Sequence, residues 1–221
     1  MATKKFTSIW IFLGILVIAA LLLGFATSAG AQNGNQVLLI ANEQSLDMEL
    51  MLTKEVGVMV SMLDKAGFKV VVASASGQPI VGGIRTLWPD LKLADVKVDD
   101  YVGFIFPCMA IEFEPSRLPR EALRVAKEAV AQRKPVAAQA GGVVTLGTAG
   151  VLDGKQFALS RKPGAPIKGL VPGGVYKGYG VVQDGNIITS GVCPYIAKHW
   201  GRPDGTLELT QKLIDSLASI R

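Results

Sequence analysis

Residues 134–155, KPVAAQAGGVVTLGTAGVLDGK, constrain this chain more than any other stretch. A short continuous apolar run, 136–139, leads directly into a Gly-Gly pair and then an apolar segment with helical composition, 143–149. Strand, sharp turn and helix in that order form the elbow on which hydrolases hold a Ser or Cys in a strained, exposed position. The residue at the apex here is Ala140. A methyl group neither attacks a carbonyl nor forms a thiolate, so the usual covalent chemistry of such a turn is unavailable at this position.

Strand and helix signals alternate along the rest of the chain. QVLLIA, residues 36–41, is apolar without interruption, as expected of a strand covered on both faces. From Ser45 a helix is expected, with Leu52, Val56, Met59 and Leu63 along one side and Gly67 as its stop signal. Further strands are expected at 69–73, 101–106 and 136–139, and a helix introduced by Pro119 at 120–132. Segments 180–182 and 186–189, joined through Asp184-Gly185, read as a hairpin, and 206–219 as a closing amphipathic helix. This order implies an α/β fold with a parallel or mostly parallel sheet and helices on both faces. The Gly/Pro-rich stretch 161–178 reads as an irregular pocket-rim loop, and no internal repeat or second folded domain is evident.

The N-terminus bears on location. Lys4 and Lys5 precede a 17-residue apolar run, 9–25, and then Ala29-Gly30-Ala31. That is the pattern of a secretory signal, and the run is nearly long enough to serve as an uncleaved membrane anchor. Either way Lys4 and Lys5 stay in the cytoplasm and residues 32–221 are expected outside, periplasmic, extracellular or tethered to the membrane. Without the first 31 residues the chain carries 21 basic and 18 acidic side chains, a net charge of +3. The basic residues form no run that would track phosphates, so nucleic acid is not an expected partner. One His and two Cys, at 199, 108 and 193, lack metal-ligand spacing; neither a metal site nor a cofactor is expected.

The segments VLLIA, DMEL, LDKAGFKVVVAS, DDYVGFIFP, KPVAAQAGG, AGVLDGK and DGNIITS, in this order, resemble the ThiJ/PfpI family, relatives of class I glutamine amidotransferases. The resemblance covers most of 36–220 and implies a flavodoxin-like three-layer α/β/α sandwich, with homo-oligomers common. It also implies a Cys at the elbow faced by an acidic residue early in the first helix. By that resemblance the Cys falls on Ala140, the following His on Gly141, the acid on Glu49, and an oxyanion-binding Gly-Gly on Cys108-Met109.

Ligands of open α/β sheets bind beyond the carboxyl ends of the strands. A pocket is therefore expected from Glu49, Cys108, Met109, Ala140, Gly141 and Cys193, with Asp47 solvated near the helix start. Glu49 reads either as a pocket group or as a helix-start carboxylate favoured by the dipole. Cys108 and Cys193 read as a disulfide, as a functional thiol at Cys108, or as inert buried thiols. His199 reads as a surface residue, Tyr195 and Trp200 as pocket or core, and Met48, Met51, Met59 and Met62 as core packing. Two functions remain open. One is a noncatalytic domain that binds a small molecule or a protein partner in the inherited pocket. The other is a cysteine-dependent hydrolase, deglycase or glyoxalase-like enzyme using Cys108 with Glu49.

Overall fold

The structure, a computed structural model, describes residues 34–109, 118–160, 167 and 169–220. The expected signal or anchor in 1–31 lies outside these residues. Among the described residues no helix is long and apolar enough to cross a membrane.

The chain begins with β1 (Gln36–Ile40), then α1 (Met48–Met51), which passes through a π-helical turn (Leu52–Val56) into α2 (Gly57–Lys65). After β2 (Lys69–Ser74) come the short strands β3 (Ile80–Val81), β4 (Thr86–Leu87) and β5 (Leu91–Lys92), then β6 (Gly103–Phe106). The second half runs α3 (Arg120–Ala131), β7 (Val136–Gln139), α4 (Gly141–Thr148), β8 (Gln156–Phe157) and β9 (Val175–Tyr176). It closes with β10 (Val181–Asp184), β11 (Ile187–Ser190), α5 (Pro194–Trp200) and α6 (Thr206–Ala218).

Seven strands form one sheet in the order β10-β11-β7-β6-β1-β2-β5, parallel throughout except for β10, which pairs antiparallel with β11. The central strands are apolar along most of their length because both faces are covered, with polar residues such as Gln139 and Ser190 at their ends. Leu38, Phe104 and Val136 point to one face and join Val125 of α3 and Leu146 of α4 in a core. Their neighbours Val37, Leu39, Ile105 and Ala137 point to the other and pack with Met59 and Leu63 of α2 and Leu213 and Leu217 of α6. Two cores separated by one sheet make the three-layer sandwich that the sequence implied.

Local departures from the sequence reading have local causes. The first helix starts at Met48, where the Asp47 carboxylate caps the Leu50 N–H at 3.2 Å, and not at Ser45. Asp47 also pairs with Lys198 at 3.1 Å, so it is a cap and an ion-pair partner as well as a solvated residue. The helix after the elbow begins at Gly141, two residues earlier than expected, because the turn is completed by Ala140 alone. The hairpin sits slightly later than expected, with Gly185 at φ 61° opening a two-residue turn between Asp184 and Ile187. Within the expected loop 161–178, β9 pairs parallel with β8; residues 161–166 and 168 lie outside the described residues. Residues 194–200, to which the sequence reading gave no helix, are helical: Pro194 opens the first turn and Gly201, at φ 62°, closes the last.

At one edge of the sheet, β5 pairs with only Ala73 and Ser74 of β2. Next to it Asp90 takes the place of a strand partner. Its N–H donates to Val72 O at 2.8 Å and its carboxylate accepts from Val72 N at 2.8 Å.

The elbow is built by a close approach. Ala140 has φ 43° and ψ −98°, a conformation that L residues avoid, and its N–H donates to Ser190 O at 2.7 Å. Two residues on, a Cβ on Gly142 would lie 1.9 Å from the Phe106 carbonyl oxygen. Only glycine lets α4 start this close to the end of β6. Gly142→Ala is therefore expected to destabilise the domain by about 3 kcal/mol or more, read as a lower urea midpoint.

Candidate functional site

The carboxyl ends of β6, β7 and β11 converge. Cys108, Met109, Ala140 and Cys193, brought there from three loops, lie in one buried cluster, with Gly141 buried beside them. The sequence reading gathers these residues in a pocket, with buried thiols as one of the readings of the two cysteines. In the fold they lie beneath the surface, with Cys108 2 % exposed and Met109, Ala140 and Cys193 0 %.

The carboxyl group of the site is Glu55, a residue not singled out from the sequence. It sits in the π-helical turn, fully buried. Its Oε1 accepts from Cys108 N at 2.8 Å and its Oε2 from Met109 N at 2.9 Å. Met109 itself has φ 50°, in the left-handed region that L residues seldom adopt. Burial pushes the Glu55 pKa well above the ordinary carboxylate value, the neighbouring Cys108 and Asp204 push the same way, and the two amide bonds oppose them. The signal in the sequence was a charge on an apolar stripe. Glu55 lies three residues after Leu52 and four before Met59, on the side that must be buried.

Glu49 is elsewhere, and its expected place in the pocket is corrected. One turn and a half earlier on the helix it reaches the tip of the β3–β4 ribbon. Its Oε2 accepts from Gly83, Ile84 and Arg85 N–H at 2.9, 2.8 and 3.0 Å, and its Oε1 from the Thr53 hydroxyl at 3.1 Å. The Arg85 and Ile84 amides hold its pKa below the ordinary carboxylate value. A Cβ on Gly82 would stand 2.7 Å from the same carboxylate, so the tip closes on Glu49 only with glycine there. The pairing of Cys108 with Glu49 in one reaction centre thus has no geometric basis; the carboxyl group beside Cys108 is that of Glu55.

The two cysteines share this buried cluster. Burial first, then the neighbouring Cys108 side chain, push the Cys193 thiol pKa far upward. Cys193 directly precedes Pro194 at the start of α5, and Cys108 follows β6. Beneath them Gln139, also buried and also missed in the sequence, donates to Val192 O at 2.7 Å and to the Thr206 hydroxyl at 3.1 Å. It ties the last residue of β7 to the Cys193 loop and to the start of α6. Thr206 in turn donates to Asp204 at 2.7 Å.

The remaining candidates are peripheral. His199 is exposed and stacks on Tyr195 with ring centroids 4.3 Å apart, while Trp200 and Tyr195 are half-buried against the second core. Met51 and Met59 are buried in that core, Met48 packs against it, and Met62 is half-buried. Among the described residues no group of three or more His, Cys, Asp and Glu is placed to hold a metal ion.

A cleft of about 730 Å³ opens beside the buried site. Asn42, Gln44 and Ser45 line it from the loop after β1, Pro107 from the loop after β6, and Gly142 and Thr145 from α4. Ile40, Phe106 and Ala122 form part of its apolar wall. Its position beyond the carboxyl ends of β1 and β6 is the usual one for ligands of open α/β sheets.

A mostly parallel sheet between two helical layers, with a strained strand-to-helix turn at the centre of its carboxyl edge, defines a flavodoxin-like α/β domain. The chain belongs to the DJ-1/PfpI family, whose pattern matches residues 35–198. It is 32% identical over 157 residues to an uncharacterised protein of Archaeoglobus fulgidus, covering 70% of this chain and 88% of that protein. A second uncharacterised relative, from Methanocaldococcus jannaschii, is 28% identical over 160 residues, covering 72% of this chain and 75% of its own. Among solved structures, a ThiJ/PfpI domain protein from Brachyspira murdochii superposes with a TM-score of 0.66 at 20% identity, over 85% of this chain and 98% of that one. Drosophila melanogaster DJ-1beta gives a TM-score of 0.57 at 20% identity, over 84% and 95%.

Glu55 yields a prediction in two parts. Glu55→Ala leaves two buried N–H groups without their acceptor, at about 1–3 kcal/mol each, so a loss of about 2–6 kcal/mol is expected in urea unfolding. Because the folded-state pKa of Glu55 is raised, its contribution is fully present below the ordinary glutamate pKa and is lost as pH rises through the folded value. The stability of the wild type is thus expected to fall, relative to Glu55→Gln, between pH 4.5 and the raised pKa. Parallel pH profiles of the two proteins would contradict the assignment.

Proposed function

We propose that this is a noncatalytic DJ-1/PfpI domain that works outside the cytoplasm and binds a small molecule in the cleft beside its elbow. The observation that carries the reading is the pairing of a methyl group at Ala140 with a Glu55 carboxyl group on the amides of Cys108 and Met109. By family resemblance Ala140 replaces the nucleophile, and those two amides stand where an oxyanion would be received. Here a carboxyl group of the protein itself occupies them. A tetrahedral intermediate at the elbow would have neither an attacking atom nor vacant donors to receive its charge.

The cleft has the volume of small-molecule sites, which run to about 300–1,000 Å³. Its apolar wall and its Asn42, Gln44, Ser45 and Thr145 groups, together with the Glu43 carboxylate, suit a compact ligand with an apolar body and a few hydrogen-bonding atoms, donors among them. Lys4, Lys5 and the apolar run 9–25 support export, with the domain either released after Ala31 or tethered by that run.

Steady-state assays with a p-nitrophenyl ester and with methylglyoxal test the catalytic half of this reading. No turnover above buffer is expected from the wild type, and Cys108→Ser is expected to change nothing. Turnover that Cys108→Ser abolishes would overturn the reading in favour of a cysteine-dependent enzyme, in which Glu55 and not Glu49 is the neighbouring acid.

A second reading, a protein partner, is favoured by the β3–β4 ribbon. Ile80 is buried and Leu87 packs against the second core, so the opposite face of the ribbon is outward. That face and its tip present Val81, Ile84 and Trp88, exposed by 66, 93 and 70 %. Glu49 holds the tip in shape through its three amide bonds, which lowers the ordering cost of contact. We take a second copy of this chain as the partner, in line with the oligomers implied by the family resemblance. Light scattering is expected to show a dimer that Ile84→Asp with Trp88→Asp converts to a monomer; a wild type that is monomeric at all concentrations would remove this reading.

A further inference from the structure

We propose that Cys108 and Cys193 form a reversible intramolecular disulfide that locks the loop after β6 to the start of α5. The two side chains are buried in one apolar cluster at the converging ends of β6 and β11, and Cys108 is among the neighbours that shift the Cys193 thiol, although 85 positions separate them in the chain. Neither loop moves independently of the site. The Cys108 amide is fastened to Glu55, and the carbonyl of Val192, just before Cys193, is fastened to Gln139. The backbone on both sides is therefore held with both thiols enclosed in the same cluster, an arrangement that favours an intramolecular bond over an adduct. The proposal does not depend on the cleft being a ligand site.

Burial selects the oxidant. With exposures of 2 % and 0 %, these thiols are closed to protein disulfides but not to a molecule as small as hydrogen peroxide. Cys108, on the loop and slightly exposed, reacts first as its thiolate. Its sulfur bonds to one peroxide oxygen, the O–O bond breaks, and the departing hydroxide takes up the thiol proton as water. The resulting sulfenic acid is then attacked by the Cys193 sulfur. The S–S bond forms, the S–O bond breaks, and the second oxygen leaves as water with the Cys193 proton. Two thiols give up two electrons, and one peroxide becomes two waters. A dithiol such as dithiothreitol reverses the change by exchange. Burial of both thiols and the raised pKa of Cys193 make oxidation slower than that of an exposed cysteine.

The test uses the full chain, reduced with dithiothreitol and then treated with hydrogen peroxide. Intact mass, alkylation under denaturing conditions and peptide mapping are the readouts. The expected product is lighter by two hydrogens, has no alkylatable thiol, and yields one cross-linked peptide pair containing Cys108 and Cys193. Its melting temperature is expected to lie about 10 °C above that of the reduced protein, since the bond closes a long loop. Cys108→Ala and Cys193→Ala are each expected to abolish both changes. The proposal is overturned if both thiols still alkylate after oxidation. It is overturned equally if one sulfur gains oxygen without a cross-link, or if the cross-link joins two chains. The mass readout on the wild type decides the matter even where a variant fails to fold.

Discussion

The contact between the Glu55 carboxyl group and the amides of Cys108 and Met109 organises the carboxyl edge of this sheet. Burying a carboxyl group completely is costly unless it is hydrogen-bonded, and burying two peptide N–H groups without an acceptor is costly as well. Each side of the contact removes the other's penalty. The π-helical turn that carries Glu55 is a departure from regular backbone at the residue that makes this contact. Once the loop after β6 is held there, Cys108 is set against Cys193, and the end of β6 is where Gly142 must pass.

Glu49, six residues away on the same helical segment, uses the same chemistry to the opposite electrostatic effect. Both carboxyl groups gather successive backbone amides, three at Glu49 and two at Glu55. At the solvated ribbon the amides dominate and acidity increases; in the core, desolvation dominates and acidity decreases. A charge count along the sequence treats these residues alike. Only the environment assigned by the fold separates a carboxylate that shapes a surface loop from a carboxyl group that holds the interior together.

What was legible in the sequence follows from short-range physics. Strands such as 36–40 and 136–139 were readable because burial on both faces demands unbroken apolar runs, and the elbow because Gly141-Gly142 directly follows one of them. Cys108 and Cys193 come into one buried cluster because each follows a strand of the same parallel sheet. The acid was assigned wrongly because rank order along a helix was followed and its face was not. Glu55 interrupts the stripe of Leu52, Val56, Met59 and Leu63, and an interruption on a buried face needs a partner. The π-helical turn left no readable trace, and neither did the contacts of Glu49 with residues 34 to 36 positions further on. Pro194 and Gly201 did announce α5, but a helix of seven residues is too short for periodicity to reveal.

The far edge of the sheet carries a different lesson. A parallel sheet that ends on β2 alone would offer a row of bare amides and carbonyls to any other extended chain. In this protein β5 covers two positions and Asp90 occupies the next, satisfying both the N–H and the C=O of Val72 without itself forming a strand. At the other edge β10 runs against the direction of its neighbours, so the parallel pattern is broken off there as well. The sheet is thereby self-limiting in pattern: neither border continues the parallel lattice of hydrogen bonds inside it.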